Sequence, residues 1–248
     1  MAQIKGFPPE LRLACQTRLS GPVKVRRLVQ DAADVDDVIQ SGHRSTGREL
    51  MLAVLFSDIR EFTRFSEGNL PYDIVHALNR YFNAVGETLD EHNGYIDKYM
   101  GDGIMALFGL NPRNAKTACA DAVDAAVAMI ERMGSVNEYM AAHLGHEFRI
   151  GIGIHYGTVV VGEIGFKLRR QFTAIGDAVN VASRLESETK NQEGDILISD
   201  EVRRHLSEGR YVFGTSTDVA LKGKALPQKA HEVLGRSGGA GAADVPKA

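Results

Sequence analysis

The sequence predicts an α+β fold, one β-sheet layered with helices, and three observations carry that expectation. "MLAVLFSD" (51–58) is a nearly continuous apolar run ending in a charge, as expected of a buried central strand. From Pro71 to Asn93, Ile74, Leu78, Phe82, Val85 and Leu89 are spaced 4, 4, 3 and 4 apart, which is one face of a helix. Segments of the two kinds follow in the order strand, helix, two strands, helix, two strands, helix, then further strands.

Each later element has its own signal. The helix from Pro71 is closed by "NG" at 93–94. "YIDKYMGDGIMALFG" (95–109) supplies two short strands around a turn, with "GDG" as the turn residues. "NAKTACADAVDAAVAMIERM" (114–133) is an alanine-rich helix of good formers. "FRIGIGIHYGTVVVGEIG" (148–165) alternates β-branched with small residues and breaks at "HYG", so two strands are expected. "VVVGEIGFKLRRQF" (159–172) reads as a hairpin whose basic "KLRR" is a solvated turn. "GDAVNVASRLES" (176–187) begins a helix with Asp177 as its N-cap. "GDILISDEVRRHL" adds a strand and a helix, and "YVFG" through "HEVLG" closes with β segments.

Composition narrows the function classes. The 248 residues are 44% hydrophobic and 25% charged, ordinary for a globular protein with a proper core. With 29 basic and 32 acidic residues the net charge is −3, which does not suggest a nucleic-acid binder. No apolar run approaches the roughly 20 residues of a membrane span, and the N-terminus lacks a signal peptide's apolar core. The two cysteines, Cys15 and Cys119, make neither a disulfide framework nor a multi-cysteine metal site. A cytoplasmic protein is expected. Residues 1–47 are an N-terminal segment ending in a polar linker, 48–235 one globular pattern, and 236–248 a Gly/Ala-rich tail expected to be disordered.

Two sets of residues could carry chemistry. Asp58 ends one buried strand and Asp102 sits in the turn before another. If those strands are neighbours, two hard oxygen ligands converge at one sheet edge, suited to Mg²⁺ or Mn²⁺ rather than zinc. The alternative is that each aspartate caps or solvates a turn. Asn180 and Arg184, at i and i+4 of one helix, present an amide and a guanidinium on the same face. Such a pair suits a sugar oxygen and a phosphate. The alternative has Asn180 in solvent and Arg184 paired with Glu188.

"LFSDIREFT", "NGYIDKYMGDGIMALFG" and "FTAIGDAVNVASRLE" together resemble the three signature blocks of class III nucleotidyl cyclases, in order and interval, over about residues 50 to 235. The resemblance implies a ferredoxin-like catalytic domain, with a hairpin arm, that dimerises head to tail and forms its active sites at the interface. It implies metal binding by Asp58, Asp102 and the backbone carbonyl of Ile59. It implies adenine recognition by Lys98 and Thr173, ribose orientation by Asn180, α-phosphate stabilisation by Arg184, and terminal-phosphate binding by Lys222. Lys98 can only donate and so suits adenine N1, while the Thr173 hydroxyl can accept from the amino group. Guanylyl members carry an acidic residue in place of the lysine and a small or thiol residue in place of the threonine.

The implied reaction converts ATP to 3′,5′-cyclic AMP and pyrophosphate with two Mg²⁺ or Mn²⁺ ions per site. The site would be shared in a homodimer, with Asp58 and Asp102 from one subunit and Thr173, Asn180 and Arg184 from the other. A threonine at 173 resembles the bicarbonate-responsive branch, which implies stimulation by bicarbonate. The other readings are a silent nucleotide-binding module that regulates a partner, a diguanylate cyclase, and an electron-transfer protein. The intact polar set opposes the first. The second lacks its glycine-glycine-aspartate turn at 101–103. The cysteine count opposes the third.

The segment "PPELRLACQTRLSGPVKVRRLV" resembles the C-terminal end of a plant-type two-iron ferredoxin, in which only Cys15 would match a cluster ligand. No iron–sulfur cluster is expected here. The segment implies either a part of a longer redox-regulated protein or a fragment that has lost that role. An N-terminal strand or helical arm is the alternative reading. Cys119, within the alanine-rich helix, reads as a core thiol.

Overall fold

The apolar run at 51–58 forms the body of β1 (Arg48–Ile59), whose alternate side chains are buried on both faces. In the computed structural model residues 20–22, 47–111, 114–166, 169–219 and 227–238 are described. Ala53 and Leu55 face one core cluster, together with Ile104, Ala106 and Phe108 of β3 (Gly103–Phe108). Leu52 and Val54 face a second cluster with Met105 and Leu107. A strand buried on both faces has no need of polar alternation, which is why both runs are apolar throughout.

Two long helices cover the first face. One is α2 (Pro71–Glu91), which follows the short α1 (Phe62–Gly68). The other is α3 (Ala115–Leu144), capped by the Asn114 side chain, which accepts from the Thr117 N–H at 2.8 Å. The fully buried line of α2 is Ala77, Tyr81, Val85 and Leu89, with Ile74, Leu78 and Phe82 half-buried beside it. The expected stripe is therefore rotated by about one position, toward Tyr81. Helix α3 continues eleven residues beyond the expected end at 133, because Val136 and Met140 carry its apolar face onward.

The sheet order is β2-β3-β1-β4-β6-β8-β7, with β5 paired to β4. Here β2 is Tyr95–Met100, β4 Ile150–Phe166, β5 Arg169–Ile175, β6 Ile196–Ser199, β7 Tyr211–Val219 and β8 Gln228–Arg236. The remaining helices are α4 (Asp177–Glu188) and the short α5 (Asp200–His205). β1 and β3 are antiparallel neighbours, with Ser57 opposite Ile104.

Two local expectations are corrected. "HYG" does not break a strand, because β4 is continuous from Ile150 to Phe166. His155 and Tyr156 are buried, His155 Nδ1 lies 2.9 Å from Ser199 Oγ, and a Cβ on Gly157 would stand 2.9 Å from that of Ala178. The glycine makes room for a helix rather than for a turn. Asp177 is not the N-cap of α4. Gly176, at φ 149°, holds that place, and Asp177 falls in the first turn, where its charge meets the positive end of the helix dipole.

The chain divides into two compact units, residues 49–161 with 173–248 in one, and 162–172 with residues up to 48 in the other. In the second, the hairpin arm exposes Ile164 and Phe166, and Lys167 and Leu168, in the stretch where the sequence predicts a turn, lie outside the described set. Cys15, its ferredoxin-like surroundings, Lys222 and the tail from residue 239 also lie outside it. Cys119 is buried, and burial pushes its thiol up to about 12, as for a core residue. No described helix is long and apolar enough to cross a membrane.

Candidate active site

Asp58 and Asp102 come together at the end of the β1–β3 pair. The register that sets Ser57 opposite Ile104 leaves Asp58 beside Gly103, and a Cβ on that glycine would stand 3.1 Å from Asp58 Oδ1. Gly103 thus keeps the carboxylate's space open, and Gly101, at φ 67°, takes the left-handed turn position. Beneath them the buried Ser57 hydroxyl lies 3.3 Å from that of Tyr81, which ties this end of β1 to α2. Burial pushes Asp58 up to about 7, helped by the charge and hydrogen bond of Asp102 and the charge of Glu186. Ile59 follows with its side chain in the core.

Lys98 and Thr173 also come together, through a residue that sequence reasoning missed. Asp97 Oδ2 accepts from Thr173 Oγ1 at 2.7 Å and lies 3.2 Å from Lys98 Nζ, while Oδ1 accepts from the Ala174 N–H at 3.1 Å. The carboxylate is fully buried, and the Lys98 side chain keeps 31% exposure.

Helix α4 sits on β4 by way of glycines. A Cβ on Gly153 would run into Glu186 N and Ala182 O and stand 2.8 Å from Glu186 Cα. The alternation "IGIGI" (150–154) therefore serves two faces. Ile150, Ile152 and Ile154 fill the first core, and the glycines admit α4 on the other side. With Ala178, Val181, Ala182 and Leu185 buried, Asn180 is left exposed and Arg184 half-buried. Arg184 makes no ion pair with Glu188, which instead accepts from Asn191 Nδ2 at 3.2 Å. Among the described residues neither side chain has a hydrogen-bonding or ionic partner. Glu186, pushed up mainly by burial, is a second unanticipated carboxylate near Asp58 and Asp102.

The donor set fits a hard divalent cation. The Asp58 and Asp102 carboxylates, close enough for Asp102 to raise the proton affinity of Asp58, offer oxygen alone, with neither sulfur nor imidazole. Among the described residues no group of three or more His, Cys, Asp or Glu is arranged around a common metal position. Such a site would complete its coordination with water and ligand phosphate. Of the missed residues, Gly103 reads in sequence only as part of a turn, and Asp97 is hidden beside Lys98.

Comparison with known proteins gives this geometry its context. Residues 47–234 match the model of the adenylate and guanylate cyclase catalytic domain. An adenylate cyclase of Anabaena cylindrica is 43% identical over 201 residues, which cover 79% of this chain and 38% of that protein. The chain thus spans less than two-fifths of that relative's length. The crystal structure of the guanylyl cyclase Cya2 superposes with a TM-score of 0.71 at 35% identity, covering 77% of this chain and 94% of that one. That of the adenylyl cyclase CyaB from P. aeruginosa also gives 0.71, at 32% identity, covering 76% and 96%. The fold is the cyclase catalytic-domain fold, in a family that acts on nucleotides with divalent metal ions and assembles as dimers. With a family match over most of its length, the chain belongs to the adenylate and guanylate cyclase catalytic domain family.

Proposed function

We propose that the protein is an adenylate cyclase, converting ATP to 3′,5′-cyclic AMP and pyrophosphate at two sites shared across a homodimer. The observation that carries the choice of base is the meeting of Lys98 and Thr173 at the Asp97 carboxylate. Lys98 donates to adenine N1, and Thr173 accepts from the exocyclic amino group. Guanine reverses both partners on that edge.

Asp58, Asp102 and the Ile59 carbonyl would hold two Mg²⁺ or Mn²⁺ ions. When bound, these ions favour deprotonation of the ribose 3′-OH and offset charge on the leaving pyrophosphate. Asn180 holds the ribose so that its 3′ oxygen lies in line with the α-phosphorus. As the new P–O bond forms and the bond to pyrophosphate breaks, Arg184 meets the charge growing on the α-phosphate. Lys222, outside the described residues, completes the proposal by holding the terminal phosphates. The 3′ proton passes to solvent, for no described side chain stands out as its base. Stimulation by bicarbonate belongs to the same reading and rests on Thr173, as does an upstream redox or sensor input on the N-terminal segment.

The base assignment is tested by exchanging it. Lys98→Glu combined with Thr173→Cys should lower the rate with ATP and raise the rate with GTP. If the double variant keeps the wild-type preference, Lys98 and Thr173 do not read the base.

A further inference from the structure

Asp97 and Lys98 are neighbours in a strand, where consecutive side chains ordinarily point to opposite faces. Here a β-bulge brings them together. The register steps from Ile96 opposite Ala106 to Lys98 opposite Met105, which leaves Asp97 as the extra residue in β2. The bulged residue turns its carboxylate into the protein, where it is fully buried, and three donors converge on it. The Ala174 N–H fixes Oδ1 at 3.1 Å, and Thr173 Oγ1 and Lys98 Nζ share Oδ2.

We propose that Asp97 is a positioning residue that sets the hydrogen-bond polarity of the base-reading pair. The inference rests on the adenine reading above and deepens it. A threonine hydroxyl has one proton and two lone pairs. Left alone it can accept from the amino group of adenine or, by rotating, donate to the carbonyl oxygen of guanine, so by itself it is a poor discriminator. At 2.7 Å from a buried carboxylate, its proton is committed. The carboxylate cannot donate in return, so only the lone pairs of Thr173 remain for the base. Thr173 then accepts and cannot donate, which matches an amino group and opposes a carbonyl. The same carboxylate holds the Lys98 ammonium by charge, leaving its other protons for an acceptor at the ring nitrogen. One buried acid thus presets an acceptor and a donor side by side, in the pattern complementary to adenine.

The test uses the full chain with Mn²⁺ and compares kcat/KM for ATP and for GTP in wild type, Asp97→Asn, Thr173→Val and the double variant. In Asp97→Asn the introduced amide can accept from the Ala174 N–H through its oxygen and donate to Thr173 through its nitrogen, which frees the threonine proton. The ATP-to-GTP ratio should fall about 10- to 100-fold, and the same change should move the ratio little when Thr173 is already valine. Because the ratio is taken within one preparation, the folded fraction cancels, and a merely structural role for Asp97 would leave it unmoved. An ATP-preferring wild type whose ratio survives Asp97→Asn overturns this inference alone. An equal fall in the Thr173→Val background also overturns it, because Asp97 would not then act through the hydroxyl. A wild type that does not prefer ATP overturns the adenine reading and this inference with it.

Discussion

Asp58, at the end of β1, and Asp102, in the turn before β3, meet through their carboxyl groups, and Asp58 is pushed up to about 7 by burial together with this neighbour. Two carboxylates placed so close are poorly tolerated without a counter-charge. That relationship carries the metal assignment and gives it a pH dependence.

An acid whose folded pKa lies above its unfolded value binds its proton more tightly when folded. The stability this adds is complete below the unfolded value near 3.8 and is lost as pH rises toward about 7. The melting temperature of wild type, measured against Asp58→Asn, should fall across that window without divalent ions. Mn²⁺ should restore it above pH ~8 and do little below pH ~5, because cation and proton compete for the same pair. Thermal melts with and without Mn²⁺ check this. A Mn²⁺ effect that is the same at both ends would contradict it.

Gly103→Ala should act on the site rather than on the fold. Its Cβ would stand 3.1 Å from Asp58 Oδ1 and 3.2 Å from Ser57 O, so the carboxylate must give way by a few tenths of an ångström. Activity should fall roughly tenfold and recover in part at higher Mn²⁺, with a stability loss of about 1 kcal/mol. Metal-titrated rates measure this directly, and an unchanged metal requirement would contradict it.

Gly153→Ala should do the opposite. The obstacles there are the α4 backbone at Glu186 N and Ala182 O, which cannot move without lifting the helix. Loss of about 3 kcal/mol or more, read by chemical denaturation, is expected. Wild-type stability in this variant would mean that α4 does not rest on β4.

Much of this arrangement is legible in sequence. The apolar runs of β1 and β3 and the spacing of α2 announce themselves by period, and the three motif blocks name Asp58, Asp102, Lys98, Thr173, Asn180 and Arg184. What is not legible depends on tertiary contact. "HYG" has the residues of a turn, yet Gly157 is small because α4 presses on it. The bulge at Asp97 has no sequence mark, since it is seen only once β2 has a partner, and alternation alone would set Asp97 opposite in direction to Lys98. Thr173 meets Asp97 from 76 positions away, which no local pattern encodes.

Asn180→Ala and Arg184→Ala should lower kcat by about 10²- to 10³-fold with little change in melting temperature. Neither side chain has a described partner, and Asn180 is exposed, so their removal costs the fold little. Rates and melts on the same preparations separate the two effects. A large drop in melting temperature would recast them as structural residues.

Sharing of the site predicts complementation. Asp58→Ala and Arg184→Ala subunits, each inactive alone, should recover roughly a quarter of wild-type activity when mixed equally, because half the dimers formed at random would hold one intact site of two. A mixture that stays inactive while both variants exchange subunits would contradict a shared site.

The most direct measurement is cyclic nucleotide formation by the purified chain given ATP or GTP, with Mg²⁺ or Mn²⁺, beside Asp58→Ala. Cyclic AMP from ATP, with far less cyclic GMP from GTP and neither product from Asp58→Ala, is the predicted result. Cyclic GMP as the main product, or cyclic AMP formation that survives Asp58→Ala, would contradict the account.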